Sequence, residues 1–489
     1  MGWYNIFLTE FVLPLVTATT GFKAWKYYNF YIKSDYFSEE TIERLQWVKF
    51  KKLIEHAYNN VPLYKEKFDR AGIKPQDIRS FEDISKIPIT TKKEIRETPF
   101  RKLIAKNYNI KKLRMSNTSG TTGHYLILFQ DFRAINHMFA ARMWGRHVIG
   151  AEVGDSVLRI TPNECQACFV NPKDPSFEDF LKKLYVIFEK WIGHPILHRR
   201  KNLPPFPKVG NPFEPKILEF YTRQIAKSRK DLIMMYPLYA YFVARYILDT
   251  RKRITTHSKL MDCSGCLLTS NIKEIVKLTM GLDCFSTYGG CEFSRFGAEC
   301  PDSGGLMHIL EPFCYVEFVN SEGKPAKENE TANIIITNLN SYAMPFIRYE
   351  HGDVGYYSNS KCSCGRHSRL MCVQGRIQGV IVNMRNEVIP ARVFWEKLLG
   401  FKRILLFQLI QHNKKKYTLF LVPGKGYRKE SERDIVSLLK DLLGEKAEII
   451  IQYKSYIQCE HSGKFMLVKS STLNEFRVAS VRKFRTEIN

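Results

Sequence analysis

Apolar side chains recur at helical spacing after Ser38, and this spacing predicts an amphipathic helix. The positions are Leu45, Val48, Leu53, Ile54 and Ala57. The sequence Val61-Pro-Leu-Tyr64 then interrupts the pattern. Because proline disfavours continuation of a helix, we expect the helix to end in a turn at this point.

Short aliphatic segments alternate with longer amphipathic segments over the middle of the chain. The short segments, which predict strands, are residues 125–129, 156–160, 232–236, 259–261, 284–287 and 333–337. Strands that alternate with helices favour a mixed α/β core over an all-helical one. The proline-rich, basic stretch 195–215 predicts a surface loop.

The α/β pattern restarts after Arg376 as a smaller unit. Strands are predicted at 380–382, 403–411, 417–422 and 448–453, with a helix near 430–443. The run Lys414-Lys-Lys416 lies between two of these strands and predicts a solvated hairpin turn. We therefore expect an N-terminal domain of residues 1–375 and a C-terminal domain of residues 376–489.

Composition narrows the class of protein. The chain has 489 residues, of which 44% are hydrophobic, so it can bury a large core. Lysine and arginine number 75 against 49 acidic residues, and the net charge of +26 favours anionic partners. No helix-turn-helix, finger or aromatic RNA-binding signature accompanies this charge, so nucleic acid is not the expected partner. The 12 cysteines are spread along a long chain, which favours a reduced, cytoplasmic setting.

The apolar stretch 7–25 leaves two interpretations open. Glu10 and Pro14 break it, and it is too short and too polar to predict a transmembrane helix. Residues 1–35 are expected to form either a helix packed on the domain or a helix lying on a membrane surface. The packed helix is favoured because burial of an apolar helix face is common. The surface helix would make the protein peripheral to the inner face of a membrane.

A run of small hydroxyl and glycine residues, Asn117-Thr-Ser-Gly-Thr-Thr-Gly123, precedes a predicted strand. Glycines allow close backbone approach, and hydroxyls and free amides can hydrogen-bond phosphate oxygens. The run is not a P-loop of the Gly-Lys-Ser/Thr type, because no lysine ends it and no helix is predicted after it. It predicts a phosphate-binding loop, with a simple hairpin turn as the alternative.

Further motifs follow this loop in a fixed order. They are Tyr288-Gly-Gly-Cys-Glu292, Arg348-Tyr-Glu-His-Gly-Asp353, Gly375-Arg376 and His461-Ser-Gly-Lys464. The ordered set resembles the adenylate-forming (acyl-CoA synthetase/ligase) superfamily, and most closely its phenylacetate-CoA ligase and CapK-like branch. Phrases typical of that branch are Val61-Pro-Leu-Tyr64, Ile87-Pro-Ile-Thr-Thr-Lys92 and Cys362-Ser-Cys-Gly-Arg366. The resemblance covers about residues 40 to 470.

The resemblance implies a large, multi-layer adenylation domain followed by a small, mobile α/β domain. It also implies roles for individual residues. ATP phosphates would be bound by Thr118, Ser119, Gly120, Thr121, Thr122 and Gly123. The adenine side would be formed by Gly265, Cys266, Tyr288 and Gly289, and the ribose would be held by Asp353 and Arg376.

The same resemblance implies the catalytic groups. Glu292 would bind Mg²⁺, which bridges phosphate oxygens, and Lys464 would stabilise the charge that develops as a carboxylate attacks the α-phosphate. Gln378 would lie at the hinge between the domains, and Tyr236 and Pro237 would belong to the acid pocket. Magnesium and a mobile ammonium suit a reaction between two anions.

Two positions depart from the family pattern. His124-Tyr125 follows the phosphate loop, where the family usually has lysine and proline. Gln378 stands where the family generally has an acidic residue or lysine. Both departures bear on rate and on domain movement rather than on the fold.

A second group of residues, Cys300, His308, Cys362 and Cys364, predicts a structural Zn²⁺ site. The pair Cys362-Ser-Cys364 offers two thiolates, while Cys300-x7-His308 offers a thiolate and an imidazole from a separate loop. The spacing is not that of a standard finger, so four unrelated residues remain the alternative. Two competing CxxC pairs rank lower, namely Cys165 with Cys168 and Cys263 with Cys266.

The expected activity is ATP-dependent activation of a carboxylic acid as an acyl-adenylate, with release of pyrophosphate. The acyl group would then pass to an amine or to coenzyme A. CapK-like relatives are associated with surface-polysaccharide biosynthesis, so an amide ligase acting on a saccharide or other small acid fits the basic surface. The alternatives are an aryl-CoA ligase of small acids and a non-catalytic binding or scaffold protein that retains the fold.

Overall fold

The computed structural model describes residues 2–118, 126–160, 199–204, 206–207, 210–401, 403–460 and 463–471. It has a mixed α/β architecture, as the alternating pattern predicts. The helices are α1 (Trp3–Phe7), α2 (Leu13–Thr20), α3 (Ala24–Ser34), α4 (Glu39–Asn60), α5 (Pro62–Arg70), α6 (Lys92–Glu97), α7 (Phe100–Leu103), α8 (Phe132–Val148), α9 (Pro215–Ala226), α10 (Pro237–Asp249), α11 (Ser270–Met280), α12 (Ala391–Leu399) and α13 (Ser431–Leu443).

An eleven-stranded sheet forms the centre of the molecule. Its strands are β3 (Val157–Ile160), β4 (Lys201–Asn202), β5 (Leu232–Met235), β6 (Leu260–Ser264), β7 (Asp283–Gly290), β8 (Ser294–Glu299), β9 (Met307–Ile309), β10 (Cys314–Val319), β11 (Ala332–Asn338), β12 (Tyr349–Ser358) and β13 (Leu370–Arg376). The order across the sheet is β10-β11-β12-β13-β9-β8-β7-β6-β5-β3-β4. Strands β4, β3, β5, β6 and β7 run parallel to one another. From β7 the sheet continues through β8, β9, β13, β12 and β11 to β10, and each of these neighbouring pairs is antiparallel.

In the parallel half β3, β5, β6 and β7 match predicted strands, but β4 lies within the stretch 195–215 that was predicted to be a surface loop. Much of the antiparallel half was not predicted. Parallel strands are covered on both faces, so they appear in the sequence as short aliphatic runs. Strands β8 and β12 instead carry charged and small residues, as in Ser294–Glu299. Such segments lack the short aliphatic runs from which the other strands were predicted.

The helix predicted after Ser38 is α4, whose first turn is capped when the backbone N–H of Thr41 donates to the Ser38 hydroxyl at 3.3 Å. The expectation of a turn at Val61 is only partly right. The backbone is extended at Val61, but Pro62 starts a second helix, α5. Proline suits a first helical position, because its missing N–H would have no partner there.

A smaller sheet lies towards the end of the chain, in the order β18-β17-β16-β19. Its strands are β16 (Ile404–Gln411), β17 (Lys416–Pro423), β18 (Glu448–Tyr453) and β19 (Val468–Ser470). Strands β16 and β17 form an antiparallel hairpin with Lys414 in its turn, as predicted. The two short pairs β1 (Arg114–Asn117) with β2 (Ile127–Gln130) and β14 (Ile381–Val382) with β15 (Val388–Ile389) complete the strands.

One hydrophobic core runs from the parallel half of the large sheet into the small sheet. It joins Phe242 of α10 with Phe394 of α12, Leu406 of β16 and Phe465. The small sheet with its helices, called the small unit below, therefore packs against the helices that cover the large sheet. Within the described residues no helix is both long and apolar enough to cross a membrane.

Candidate active site

A cavity of about 380 Å³ opens where the parallel strands end and the small unit begins. Crevices at the carboxyl ends of parallel strands are common ligand sites. Many of the residues predicted for the site line it together. They are Tyr236, Gly265, Cys266, Tyr288, Gly289, Asp353, Arg376, Gln378 and Lys464.

Asp353 on β12 is the centre of the hydrogen-bond network in this cavity. Its Oδ2 accepts a hydrogen bond from the Tyr288 hydroxyl at 2.7 Å and lies 2.7 Å from Nδ1 of His351. Its Oδ1 lies 3.0 Å from Nε of Arg376. Burial acts to raise the pKa of Asp353, but the charge of Arg376 and the contacts with His351 and Tyr288 hold it well below its usual value. The carboxylate is thus ionised and fixed in place.

The glycine pair that ends β7, Gly289 and Gly290, is called the glycine turn below and brings the backbone close to this network. A Cβ on Gly289 would lie 1.7 Å from the carbonyl oxygen of Ser294, and one on Gly290 would lie 2.7 Å from Nε2 of His351. Larger residues are therefore excluded from both positions. Burial raises the pKa of Tyr288 well above its usual value, and Asp353 adds to this shift, so the phenol stays protonated and donates.

Glu292 lies just behind the glycine turn and is buried. The hydroxyl of Tyr349 donates to its Oε1 at 3.2 Å, and a Cβ on Gly290 would lie 2.9 Å from its Oε2. Lys92, the first residue of α6, is close enough to interact with it. Burial lowers the pKa of Lys92, and the Glu292 carboxylate opposes that shift.

A second close approach occurs at Gly265, which follows β6 with a φ of +83°. A Cβ there would lie 2.8 Å from the ring of Tyr236, so the left-handed conformation and the space both require glycine. The neighbouring Cys266 also lines the cavity. Burial raises the pKa of its thiol, while the charge of Lys464 and the backbone N–H of Phe465 act in the opposite direction.

Lys464 reaches the cavity from a loop of the small unit. The hydroxyl of Tyr239 donates to the carbonyl of Gly463 at 2.7 Å, and the backbone N–H of Glu460 donates to the carbonyl of Lys464 at 2.7 Å. These contacts hold the loop against α10. Lys464 and Asp353, far apart in the sequence, therefore face one cavity.

Some predicted residues lie elsewhere. Thr118 is buried and exchanges hydrogen bonds with Leu126 across the start of the β1–β2 pair. Pro237 is the first residue of α10, buried, and not part of the cavity wall. Residues 119–123 of the predicted phosphate loop, together with Cys165 and Cys168, lie outside the described residues.

Two site residues, His351 and Lys92, were inside motifs recognised in the sequence but were given no role. His351 lies two positions before Asp353, and residues on one face of a strand recur with that spacing. Thr90 forms a bridge with Tyr349, and this places Lys92 beside the end of β12. The pairing joins segments more than two hundred residues apart, so the sequence carries no local signal for it.

The predicted metal ligands also converge. The ligand atoms of Cys300, His308, Cys362 and Cys364 all lie within 4.8 Å of one another. Sγ of Cys300 lies 3.4 Å from Sγ of Cys362, and Nε2 of His308 lies 3.4 Å from Sγ of Cys364. Donor atoms of a tetrahedral zinc site are about 3.5–3.8 Å apart, so the set fits a zinc ion.

The surroundings of His308 suit a metal ligand. Its Nδ1 lies 2.9 Å from the hydroxyl of Ser368, which fixes the ring with Nε2 facing the cysteines. Of the competing pair, Cys263 is buried in β6 while Cys266 lines the cavity. The alternative of four unrelated residues does not agree with this convergence.

The residues present also fit a nucleotide and Mg²⁺. The missing Cβ atoms at Gly265 and Gly290 leave the backbone open beside an aromatic ring and an ionised carboxylate. A single carboxylate, Glu292, is the usual protein share of a magnesium ion bound mainly by phosphates and water.

Known proteins resemble the chain over most of its length. The family described as CapK C-terminal domain matches residues 380–471. Phenylacetate-coenzyme A ligase of Escherichia coli (strain K12) is 24% identical over 381 residues, which are 75% of this chain and 78% of the relative. These matches agree with the resemblance that the motifs indicate, to the phenylacetate-CoA ligase and CapK-like branch of the adenylate-forming superfamily. It is an enzyme of the ligase class.

Solved structures agree on the fold. 2-Hydroxyisobutyryl-CoA ligase in the postadenylation state, with 2-HIB-AMP, has a TM-score of 0.66 at 16% identity and covers 91% of each chain. The same ligase in the thioesterification state, with 2-HIB-AMP and CoA, has a TM-score of 0.55 at 16% identity, covering 92% of this chain and 94% of that one.

Proposed function

We propose that this enzyme activates a carboxylic acid with ATP, forms an acyl-adenylate and releases pyrophosphate. The observation that carries the proposal is that Lys464 of the small unit lines the same cavity as Tyr288, Asp353 and Arg376. An ammonium, an ionised carboxylate and an aromatic ring in one cavity suit a bound nucleotide.

Each residue has a definite task in this proposal. The fixed carboxylate of Asp353, with Arg376 beside it, accepts hydrogen bonds from ribose hydroxyls. Lys464 stabilises the charge that grows on the α-phosphate as the acid attacks. Mg²⁺, when held by Glu292, neutralises phosphate charge that would repel the carboxylate.

The small unit is proposed to be a domain that moves about Gln378, with the boundary at residues 375 and 376. Gln378 lies in the short 3₁₀ turn Ile377–Gly379, directly after β13, and lines the cavity. Short turns between packed units commonly absorb the backbone rotation of domain motion. The better fit to the postadenylation state supports a cycle in which the described arrangement performs adenylation.

The acyl acceptor is proposed to be an amine, with coenzyme A as the second candidate. The match to the CapK C-terminal domain favours an amide ligase acting in surface-polysaccharide biosynthesis. The phenylacetate-coenzyme A ligases, similar over three quarters of the chain, favour coenzyme A. Mass spectrometry of the product formed with each acceptor distinguishes a new amide from a thioester.

Acid-dependent release of pyrophosphate from ATP is the test of the first step. A panel of carboxylic acids is incubated with the full chain, ATP and Mg²⁺, and release is compared with a no-acid control. We expect release with at least one class of acid. A correctly folded enzyme that binds ATP but releases no pyrophosphate with any acid would favour a non-catalytic binding protein instead.

The cluster of Cys300, His308, Cys362 and Cys364 is proposed to hold one structural Zn²⁺. The supporting observation is the mutual approach of four donors from the end of β8, from β9 and from the loop between β12 and β13. Their place next to the antiparallel strands suits a structural role. His308 itself is on β9 and pairs with Leu370 of β13, so the ion would link neighbouring strands of the sheet to that loop.

The first helices are proposed to contact an anionic membrane surface. Their buried residues include the polar Asn5, whose amide donates to Glu152 at 3.0 Å and to Asp155 at 3.2 Å. Large apolar side chains point outward instead. They are Trp3, Ile6, Phe7, Phe11 and Leu15, with Trp3 78% exposed.

Positive charge lies beside this apolar face, which suits anionic lipid headgroups. The guanidinium of Arg199 lies 5.0 Å from the ring centre of Tyr4, and Lys201 and Lys230 are near Arg199. An apolar face flanked by basic residues is the pattern of a helix in the membrane interface. Glu10 is exposed nearby and works against binding.

Vesicle sedimentation tests this contact with the full chain. We expect binding to vesicles that contain phosphatidylserine, weaker binding to phosphatidylcholine alone, and loss of binding in a Trp3→Ser, Phe11→Ser variant. Leu278→Ser is the matched control, because Leu278 is 73% exposed on α11. Equal binding by the double variant, or none by the unaltered chain, would refute the proposal.

A further inference from the structure

A cluster of arginines lies in the cavity, beyond the residues assigned to the nucleotide. The arginine cluster consists of Arg142, Arg146, Arg159, Arg200 and Arg295, all of which line the cavity. They come from α8, β3, the segment before β4, and β8. Four separate parts of the fold thus bring positive charge to one place.

Among the described residues, the charges at the centre of the cluster do not balance. Asp262, buried on β6, accepts a hydrogen bond from Nη1 of Arg295 at 2.8 Å and lies 3.9 Å from Nε of Arg146. The hydroxyl of Thr287 donates to the same carboxylate at 3.1 Å. In this part of the chain two guanidinium groups therefore share one carboxylate, which leaves one positive charge in excess.

Of the two arginines beside Asp262, Arg146 has the less favourable electrostatic surroundings. Its side chain is 12% exposed, and within the described part of the chain its Nε has no hydrogen-bond partner. Its pKa is lowered to about 9, first by burial and then by the charges of Arg295, Arg200 and Arg142, while Asp262 opposes the shift. A buried, crowded guanidinium is stabilised when an anion comes next to it.

Helix α8 connects this cluster with the reaction centre. Along one face it lines the cavity with Ile135, Met138 and Phe139, and then with Arg142 and Arg146. The Ser294 hydroxyl donates to the carbonyl of Met138 at 2.8 Å, and Ser294 pairs with Gly290 of the glycine turn. The apolar part of the face is therefore next to the nucleotide site.

The spacing of residues along this face of α8 sets the length of a substrate that would reach from the glycine turn to the arginines. Eight residues separate Met138 from Arg146, which is about 12 Å along a helix. An acid with its reacting carboxylate near the glycine turn would pass apolar side chains before it reached the arginines.

We propose that the arginine cluster binds a second anionic group of the acyl substrate, a carboxylate, sulfate or phosphate held about 12 Å from the carboxylate that is activated. This inference rests on the proposed adenylation and deepens it, because it names the substrate class. Arg146 contributes the central contact and thus determines specificity. Monocarboxylic acids lack the group that this contact needs.

The test compares matched pairs of acids in the pyrophosphate assay. Hexanedioic, decanedioic and tetradecanedioic acids are each compared with the monoacid of equal length. We expect the longer diacids to exceed their monoacids in kcat/KM by about tenfold or more, since a charge-assisted hydrogen bond is worth that much. Arg146→Gln should remove most of this preference, mainly through KM for the diacid, and Arg146→Lys should restore part of it.

The matched control is Arg428→Gln, which removes a charge from an exposed residue of the small unit outside the cavity. It should keep the diacid preference. Equal or better turnover of the monoacids, or an unchanged preference in Arg146→Gln, overturns the inference and leaves the adenylation proposal standing. A rise in KM for ATP with unchanged acid preference assigns the arginines to the triphosphate and also overturns it. No release with any acid refutes the adenylation proposal itself.

Discussion

The hydroxyl of Tyr239 donates a hydrogen bond to the carbonyl of Gly463, the residue before Lys464, at 2.7 Å. Tyr239 lies on α10 of the large part, and Gly463 lies in the loop of the small unit. This contact holds Lys464 in the cavity, and it must break if the small unit moves away for acyl transfer.

Tyr239→Phe should slow acyl-adenylate formation by about twofold to tenfold, because one buried hydrogen bond contributes about 1 kcal/mol to the closed arrangement. Transfer from a supplied acyl-adenylate should be unchanged or faster. Stopped-flow measurement of the two half-reactions checks this. Tyr221→Phe is the control, since Tyr221 donates to the carbonyl of Pro204 within the large part at 2.8 Å.

Glu292→Ala and Asp353→Ala should each reduce acid-dependent pyrophosphate release by about a hundredfold or more while the fold is retained. The first change removes the proposed Mg²⁺ ligand, and the second leaves Arg376 without its carboxylate partner. Circular dichroism verifies folding, and Glu322→Ala in an exposed turn is the control. Near-normal turnover in either folded variant would mean that the nucleotide site is elsewhere.

Lys464→Ala should slow acyl-adenylate formation by about a hundredfold or more, yet leave transfer from a preformed acyl-adenylate largely intact. The attack of the acid on the α-phosphate, in the first half-reaction, is the step that Lys464 is proposed to stabilise. Lys446→Ala, an exposed lysine of the same unit, serves for comparison. Equal losses in both half-reactions would indicate a structural role, and unchanged adenylation would show that another lysine acts.

One zinc per chain should be found by elemental analysis of protein purified without chelator. Cys362→Ser combined with Cys364→Ser should remove it, because two of the four donors are lost. Cys459→Ser, outside the cluster, should keep the metal. The site is disproved by protein that lacks zinc as purified, or by zinc that persists in the double variant.

The order of short motifs was enough to predict the branch, the α/β class and nine of the residues that line the cavity. Gly289 lies near the end of β7 and Arg376 at the end of β13, so these motifs mark where strands finish. The contribution of Lys92 could not be predicted, since only the pairing of Thr90 with Tyr349 brings it near Glu292.

The arginine cluster was also invisible in the sequence. Arg142, Arg159 and Arg295 are isolated basic residues among many in a chain of high positive charge. Their convergence depends on the order β8-β7-β6-β5-β3 across the sheet, which no local pattern specifies. Similarly, the outward apolar face of the first helices follows from the burial of Asn5, against the usual rule for polar side chains.

The wall that the small unit contributes to the cavity, from Lys464 to Val468, has a consequence for the fate of the activated acid. A mixed anhydride of an acid and AMP is consumed by any nucleophile that reaches it, and bulk water is the most abundant one. While Tyr239 holds the loop in place, that wall keeps bulk water away from the acyl-adenylate of the proposed reaction and so limits its hydrolysis. The lifetime of this closed arrangement then sets the fraction of ATP molecules that yield an acylated product.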